Sequence, residues 1–307
     1  MSEANTEQSL DPLRFQTAET TVNGVRLAYV REGAGGTPLL LVHGWPETKR
    51  IWWRVIAPLA AAGFEVIVPD LRGFGDSDIS PDGFHDVAAH SRDLHALVHD
   101  HLGHDRIVAA GGDLGGPVIQ DLSLRFPGFV ERLVLFNSPL PYEREAMAGL
   151  RTRPPRAVID YFIRQGTDPD GLMGDLPTPA ERERYVATFY TSRLWAHPDT
   201  FTDEEVSFHT APFADARHLR ASFGAYEATF SESSRSEPPL LGLNPTHALL
   251  LYGPSDHVIP PDFDRVAAIV FPDHVGPFLL RDTGHFVPWE ASAVFVSAVR
   301  AFCRDLL

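Results

Sequence analysis

The stretch VAAGGDLGGPVI (residues 108–119) places one acidic residue, Asp113, among four glycines, with an apolar run on either side. The run before it has the composition of a buried strand, and the run after it fits a helix. Charged side chains are rarely buried in crowded bends, so the carboxylate needs a chemical reason to be there. GGDLGG does not have the spacing of a dinucleotide-binding loop, and it would aim a carboxylate at a pyrophosphate.

Composition limits the function classes. The chain has 307 residues, 44% hydrophobic and 22% charged, which fits one α/β domain with an insertion. A net charge of −15 argues against nucleic-acid and anionic-membrane partners. Cys303 is the sole cysteine, which excludes an internal disulfide and a cysteine-based metal site. A polar N-terminus and the absence of an apolar run of roughly 18 residues predict a cytoplasmic protein.

Short apolar runs alternate with helical patterns along most of the chain. The runs that read as buried parallel strands are 38–44, 64–70, 106–112, 132–138, 247–253 and 276–282. The helical stretches are 49–62, 86–102, 115–126, 261–270 and 288–305. Upstream, ETTVNGVRLAYVREG (19–33) carries an Asn-Gly turn typical of a hairpin. This alternation predicts a doubly wound, mostly parallel sheet.

The alternation stops between residues 139 and 239, where no strong strand pattern occurs. We interpret 139–239 as a helical cap domain inserted into a core formed by 1–138 and 240–307. Ligands of open α/β sheets bind at the carboxyl ends of the strands, so an insertion there would form a lid.

Polar residues follow several predicted strands at that same edge. Asp113, Asp256 and His285 each lie just beyond a strand, in the chain order nucleophile, acid, histidine. Gly111–Gly115 also matches the small-x-nucleophile-x-small pattern of a nucleophile elbow. With these motifs, the chain resembles the α/β-hydrolase superfamily over nearly its whole length. No Gly-x-Ser-x-Gly occurs, which disfavours a serine esterase or lipase.

The resemblance implies roles for the three residues. Asp113 would attack carbon and form an ester with the substrate. His285 would activate the water that hydrolyses the ester, and Asp256 would orient the imidazole. No cofactor or metal is implied.

HGWP (43–46) resembles the superfamily's oxyanion turn. The resemblance implies that the backbone N–H groups of Trp45 and Leu114 bind the oxyanion, with His43, Gly44 and Pro46 shaping the loop. It also implies a cis Trp45–Pro46 bond.

Two branches of the superfamily use an aspartate nucleophile, the epoxide hydrolases and the dehalogenases. Dehalogenases usually place Trp after the nucleophile, and fluoroacetate-type enzymes place Arg there, whereas this chain has Leu114. IDYFIRQG (159–166) and RASFGAYEATF (220–230) resemble the epoxide-hydrolase segments that carry two proton-donating tyrosines, here Tyr161 and Tyr226. We therefore predict an epoxide hydrolase that acts with water on an apolar epoxide. A dehalogenase with the same triad and a non-enzymatic binding protein are the alternatives.

The remaining polar and aromatic residues are given structural interpretations. Tyr142, Tyr185 and Tyr190 are read as packing residues of the lid. His95 and His99 are neighbours on one predicted helix, and without a further ligand they favour a polar helix face over a metal site. The sequence leaves open which substrate is used and whether the protein is a monomer or a homo-oligomer.

Overall fold

The fold is built on one eight-stranded sheet. A computed structural model describes residues 10–154 and 158–307. The strands are β1 (Thr17–Val22), β2 (Val25–Glu32), β3 (Thr37–Val42), β4 (Phe64–Pro69), β5 (Ile107–Gly112), β6 (Val130–Phe136), β7 (His247–Tyr252) and β8 (His274–Leu279). Their order in the sheet is β1-β2-β4-β3-β5-β6-β7-β8. β2 pairs antiparallel with β1 and β4, and the other pairs are parallel, so the predicted sheet is confirmed.

Local sequence explains both kinds of strand. Asn23 and Gly24 both adopt positive φ (49° and 79°), which suits the turn that joins β1 to β2. Every residue of β4 and β5 is buried, as expected for central strands covered on both faces.

Twelve α-helices accompany the strands in the described residues. They are α1 (Ile56–Ala61), α2 (Val87–His95), α3 (Gly115–Arg125), α4 (Asp160–Thr167), α5 (Pro169–Gly174), α6 (Pro179–Tyr190), α7 (Asp203–Thr210), α8 (Ala216–Ala221), α9 (Gly224–Phe230), α10 (Phe263–Val270), α11 (Val287–Glu290) and α12 (Ser292–Phe302). Shorter 3₁₀ segments are Lys49–Trp52, Ala211–Ala214 and Glu232–Ser234, and a π-helix spans Ala96–His101. None of the helices in these ranges is long and apolar enough to cross a membrane.

One strand differs from its prediction. β8 was predicted to be buried, but Phe278 and Leu279 are 50% and 57% exposed. The cause is position: β8 is the last strand of the sheet and pairs only with β7. An apolar composition therefore indicated a strand correctly but not its place in the sheet.

The segment between β6 and β7 carries α4 to α9, and its described residues contain no strand. The helical insertion is thus where the sequence places it, while the proposed domain boundaries stay predictions. Residues 155–157 of the predicted cap lie outside the described residues.

Stacked aromatic rings join this segment to the sheet domain. Tyr190 of α6 stacks on Phe286 at 4.5 Å between ring centroids and on His209 at 5.1 Å. His209 in turn meets Trp289 edge-on at 4.3 Å. The Tyr190 hydroxyl donates a hydrogen bond of 2.6 Å to the carbonyl oxygen of Pro46. The insertion is therefore anchored directly on the HGWP loop.

A buried ion pair fixes the other side of that loop. Lys49, the chain's sole lysine, is buried and lies 2.5 Å from Asp70 Oδ2 through its Nζ. The Lys49 backbone N–H donates to Asp70 Oδ1 at 2.7 Å. The Lys49 ammonium also contacts Asp76, whose side chain is mostly exposed. Because Asp70 directly follows β4, these bonds tie the loop after β3 to its neighbouring strand.

Replacing Asp70 with Asn should destabilise the fold, because the buried Lys49 ammonium would keep only the exposed Asp76 as an anionic partner. We expect the free energy of unfolding to fall by about 3 kcal/mol, the usual order for breaking a buried ion pair. Urea unfolding measures it. The matched variant Asp76→Asn should cost about 1 kcal/mol or less, and equal losses in the two variants would contradict the prediction.

Candidate active site

Asp113 lies in a sharp turn between β5 and α3, with φ of 43°. This left-handed conformation is costly for a residue with a side chain and persists only where the surroundings hold it. The Asp113 backbone N–H donates to the carbonyl oxygen of Asn137 at 2.9 Å. A Cβ on Gly115 would lie 2.3 Å from the Val42 carbonyl oxygen, and one on Gly44 would lie 2.5 Å from Asp113 Cβ. Glycine at these positions lets three backbone segments meet at the carboxylate.

The two carboxylate oxygens of Asp113 have different surroundings. Oδ1 accepts a 2.7 Å hydrogen bond from the backbone N–H of Trp45. Oδ2 lies 3.3 Å from His285 Nε2, although the two atoms are not aligned for a hydrogen bond. One oxygen is thus held by the HGWP loop, and the other faces the imidazole.

His285 and Asp256 form a tight buried pair. His285 Nδ1 and Asp256 Oδ2 are 2.7 Å apart. The other oxygen of Asp256 accepts the backbone N–H groups of Val258 at 2.7 Å and Ile259 at 3.2 Å. These bonds fix the carboxylate, so the imidazole presents Nε2 towards Asp113.

The structure adds Asn137, which the sequence analysis did not single out. Its buried side-chain NH₂ donates to Asp256 Oδ2 at 2.9 Å and to the carbonyl oxygens of Gly253 and Gly284. Its backbone carbonyl accepts the N–H of Asp113. Asn137 therefore links the connections that follow β5, β7 and β8. The available signal was its place directly after the strand RLVLF.

Glu47 is a second residue of the site that the sequence analysis did not single out. It is buried, and its carboxylate accepts the Gly44 backbone N–H at 2.6 Å. Burial, partly offset by the positive charge on His285, raises the pKa of Glu47 to about 7. A titratable carboxyl thus lies within electrostatic reach of His285 and Asp113.

The electrostatic environment of His285 is dominated by carboxylates. Burial alone would lower the pKa of this imidazole, but interactions with Asp256 and Asp113 overcome burial and raise it well above its usual value. The two carboxylates therefore favour the protonated form of this imidazole.

A cavity of about 590 Å³ opens onto Asp113 and is lined mainly by apolar side chains. Leu114, Tyr161 and Tyr226 line it together with Asp113. The tyrosine rings lie 6.1 Å apart between centroids at 82°. Burial, followed by the charge on Asp113, raises the pKa of both tyrosines well above 10, so both stay protonated at neutral pH.

Trp45 packs beneath the two tyrosines. Its indole stacks on Tyr161 at 5.7 Å and 11° and meets Tyr226 edge-on at 5.7 Å. The indole N–H donates to Ser222 Oγ at 3.0 Å, so this donor has a partner within the protein. The Trp45–Pro46 bond is cis, as the resemblance implies.

His43 supports the loop from inside. Its Nε2 accepts the Leu71 backbone N–H at 3.0 Å, and its Nδ1 lies 2.8 Å from the Gly44 carbonyl oxygen. These partners require a proton on Nδ1, and burial lowers the pKa of His43. The neutral ring therefore supports the loop through both hydrogen bonds.

Other residues singled out in the sequence lie outside the cavity lining. Tyr142 is exposed, Tyr185 accepts a hydrogen bond from Gln165, and Tyr190 packs in the aromatic junction. His95 and His99 stack at 4.7 Å, and the structure adds Asp100, whose ligand atom lies within 4.8 Å of theirs.

The fold and this strand-edge constellation define a hydrolase-type scaffold. A family model described as alpha/beta hydrolase fold matches residues 37–292, and the chain belongs to that family. It is 28% identical over 293 residues to a soluble epoxide hydrolase from a Corynebacterium species, covering 94% of this chain and 97% of the relative. It is 29% identical over 279 residues to haloalkane dehalogenase 2 of Mycobacterium tuberculosis, covering 89% and 90%.

A solved structure is similar as well. The epoxide hydrolase CorEH, solved without ligand, superposes with a TM-score of 0.82 at 26% identity, covering 95% of this chain and all of that one.

Removing the charge of Asp113 should lower the pKa of His285. In the wild type, protonated His285 stabilises the folded state fully below its unfolded pKa, about 6.5, and this stabilisation is lost as pH rises through the raised folded pKa. In Asp113→Asn this stabilisation should be smaller, and its loss should be complete at a lower pH. An NMR titration of the imidazole measures the shift. Asp175→Asn, which removes an exposed carboxylate from the insertion, should leave it unchanged, and an unaltered pKa in Asp113→Asn would contradict the prediction.

Proposed function

We propose that the protein is an epoxide hydrolase that converts an apolar epoxide and water into a vicinal diol through an ester on Asp113. The observation that carries the proposal is the cavity, where the Asp113 carboxylate and two tyrosines whose hydroxyls stay protonated line the same space. The similarity to a relative named soluble epoxide hydrolase supports it.

The first step opens the ring. Asp113 Oδ2, the oxygen not held by Trp45, attacks an epoxide carbon and displaces the ring oxygen. A proton from Tyr161 or Tyr226 neutralises the departing alkoxide, leaving a hydroxyl group and a tyrosinate. The products of this step are a β-hydroxyalkyl ester and a neutral Asp113.

Formation of the ester changes the pKa of His285. Since the charge on Asp113 helps to raise the pKa of His285, converting that carboxylate into an ester lowers it. The proton lost by His285 can return to the tyrosinate through solvent in the cavity. The imidazole becomes a competent base only after the ester has formed, with Asp256 still orienting it.

The second step hydrolyses the ester. Neutral His285 takes a proton from water, and the hydroxide adds to the ester carbonyl carbon of Asp113. Negative charge then develops on Oδ1, where the Trp45 backbone N–H already points and the N–H of Leu114 is the expected second donor. Collapse expels the diol oxygen, which takes the proton from His285. The new carboxylic acid of Asp113 then gives its proton to His285, which restores the Asp113 carboxylate and the protonated imidazole.

Haloalkane dehalogenation is the second candidate, because one relative bears that name. A departing halide needs N–H donors rather than a proton. The described cavity lining contains two tyrosines and no tryptophan, and the indole N–H of Trp45 is taken by Ser222. These observations favour the epoxide.

Blocking the second step should trap the ester. In His285→Gln, incubation with aryl and alkyl epoxides should add the mass of one epoxide to the protein, because Asp113 can attack but water is not activated. Intact-mass spectrometry and peptide mapping locate the adduct, and Asp113→Asn, which lacks the nucleophile, should show none. Halide release from haloalkanes by the wild type, without diol from any epoxide, would replace the proposal with the dehalogenase. Silence on both substrate panels, with no adduct in His285→Gln, would indicate a binding protein.

Removing both tyrosine hydroxyls should slow ring opening. The double variant Tyr161→Phe/Tyr226→Phe should lose about 10² to 10⁴-fold in kcat/KM for diol formation, the usual contribution of a general acid. Each single variant should lose less, since the other hydroxyl remains. Tyr185→Phe, which alters a phenol outside the cavity lining, is the matched control and should stay near the wild-type rate. A double variant with wild-type activity would exclude the tyrosines as proton donors.

A further inference from the structure

The cavity is mainly apolar but also has charged residues in its lining. Among the described residues, four charged residues besides Asp113 line it: Asp86, Arg153, Arg235 and Glu237. Its volume of about 590 Å³ is in the range that holds a drug-sized ligand, well beyond what a small epoxide ring alone would occupy. A substrate that fills this volume would contact both the apolar lining and these charged residues.

Both of these carboxylates, Asp86 and Glu237, already have partners. Asp86 caps α2 by accepting the Ala89 N–H at 3.0 Å, and it also accepts the N–H and hydroxyl of Ser236 at 2.6 and 3.0 Å. Glu237 lies between the guanidinium groups of Arg92 and Arg125, at 2.6 Å from each. Neither carboxylate is left to select a cationic ligand.

Arg235 differs from them. Its Nε donates to the Ala228 carbonyl oxygen at 2.5 Å, with a long 3.5 Å contact from Nη2 to the carbonyl oxygen of Thr229. Within residues 10–154 and 158–307, no carboxylate forms an ion pair with it and no acceptor bonds its Nη1. The guanidinium is half-buried and anchored at the C-terminal end of α9, yet one edge of its fork is unused.

This arrangement is notable in a chain with a net charge of −15, where an arginine readily finds a carboxylate. A guanidinium edge matches a carboxylate with two parallel N–H···O bonds. The nearby Asp86 and Glu237 make a singly charged carboxylate a better fit than a phosphate dianion. Arg153, which also lines the cavity, is exposed, and no hydrogen bond to another described residue anchors it.

We propose that Arg235 forms an anion subsite, and that the substrates are epoxides carried on an apolar chain that ends in a carboxylate. This inference rests on the proposed function and refines its substrate class: the epoxide lies at Asp113, the chain lies along the apolar lining, and the carboxylate pairs with Arg235.

The test compares the epoxide of oleic acid with its methyl ester, both below their critical micelle concentrations. The wild type should prefer the acid. Arg235→Gln should lose about tenfold to hundredfold in kcat/KM for the acid, mainly through KM, and little for the ester, since hydrogen bonds to charged groups have about this strength. Arg235→Lys should retain part of the preference. Arg193→Gln removes the same charge from an exposed site of the insertion outside the cavity lining. It should leave kcat/KM for both substrates unchanged.

Two outcomes would overturn the subsite while leaving the epoxide hydrolase intact. One is the absence of any preference for the acid in the wild type. The other is an equal loss on acid and ester in Arg235→Gln, which would show that Arg235 only caps α9.

If the wild type hydrolyses neither compound, the proposed function fails for this substrate class, and binding tests the subsite separately. Oleate and methyl oleate are then compared as competitors of a fluorescent fatty acid. A loss of oleate affinity confined to Arg235→Gln supports the subsite, and equal affinities in both proteins exclude it.

Discussion

The site depends on one backbone constraint, the left-handed turn at Asp113. A φ of 43° is unfavourable for aspartate, and it is held by the hydrogen bond from its N–H to Asn137 and by close packing of the HGWP loop. That packing leaves no room for a Cβ at Gly44 or Gly115. The glycines around Asp113 thus make space for a carboxylate at the end of β5, and the neighbouring backbone N–H of Trp45 comes into reach of it.

The electrostatics follow from this placement. Two carboxylates flank one buried imidazole, so burial and Coulomb attraction act on the pKa of His285 in opposite directions, and attraction wins. This arrangement makes the basicity of His285 depend on whether Asp113 carries a charge, which supports the proposed order of the two steps.

Features set by short stretches of sequence were predictable. The elbow, the strand-end positions of Asp256 and His285, and the cis Trp45–Pro46 bond follow from local spacing or a motif. Exposure of β8 was not predictable from composition, because it depends on which strand ends the sheet. Asn137 escaped notice for a similar reason, since its role is visible only when three strand connections are brought together. The proton-donor roles of the tyrosines remain predictions.

Trp45 connects the two halves of the site more directly than its place in the HGWP motif suggests. Its backbone N–H, in the sheet domain, binds Asp113, while its indole stacks on Tyr161 and donates to Ser222 in the insertion. A shift of the insertion would therefore move the tyrosines and strain the loop that holds the carboxylate. Because Tyr190 also binds Pro46, the same loop is fixed from two sides of the insertion. The proposed acid Tyr161 and the proposed oxyanion donor, the backbone N–H of Trp45, are thus both positioned by one short segment.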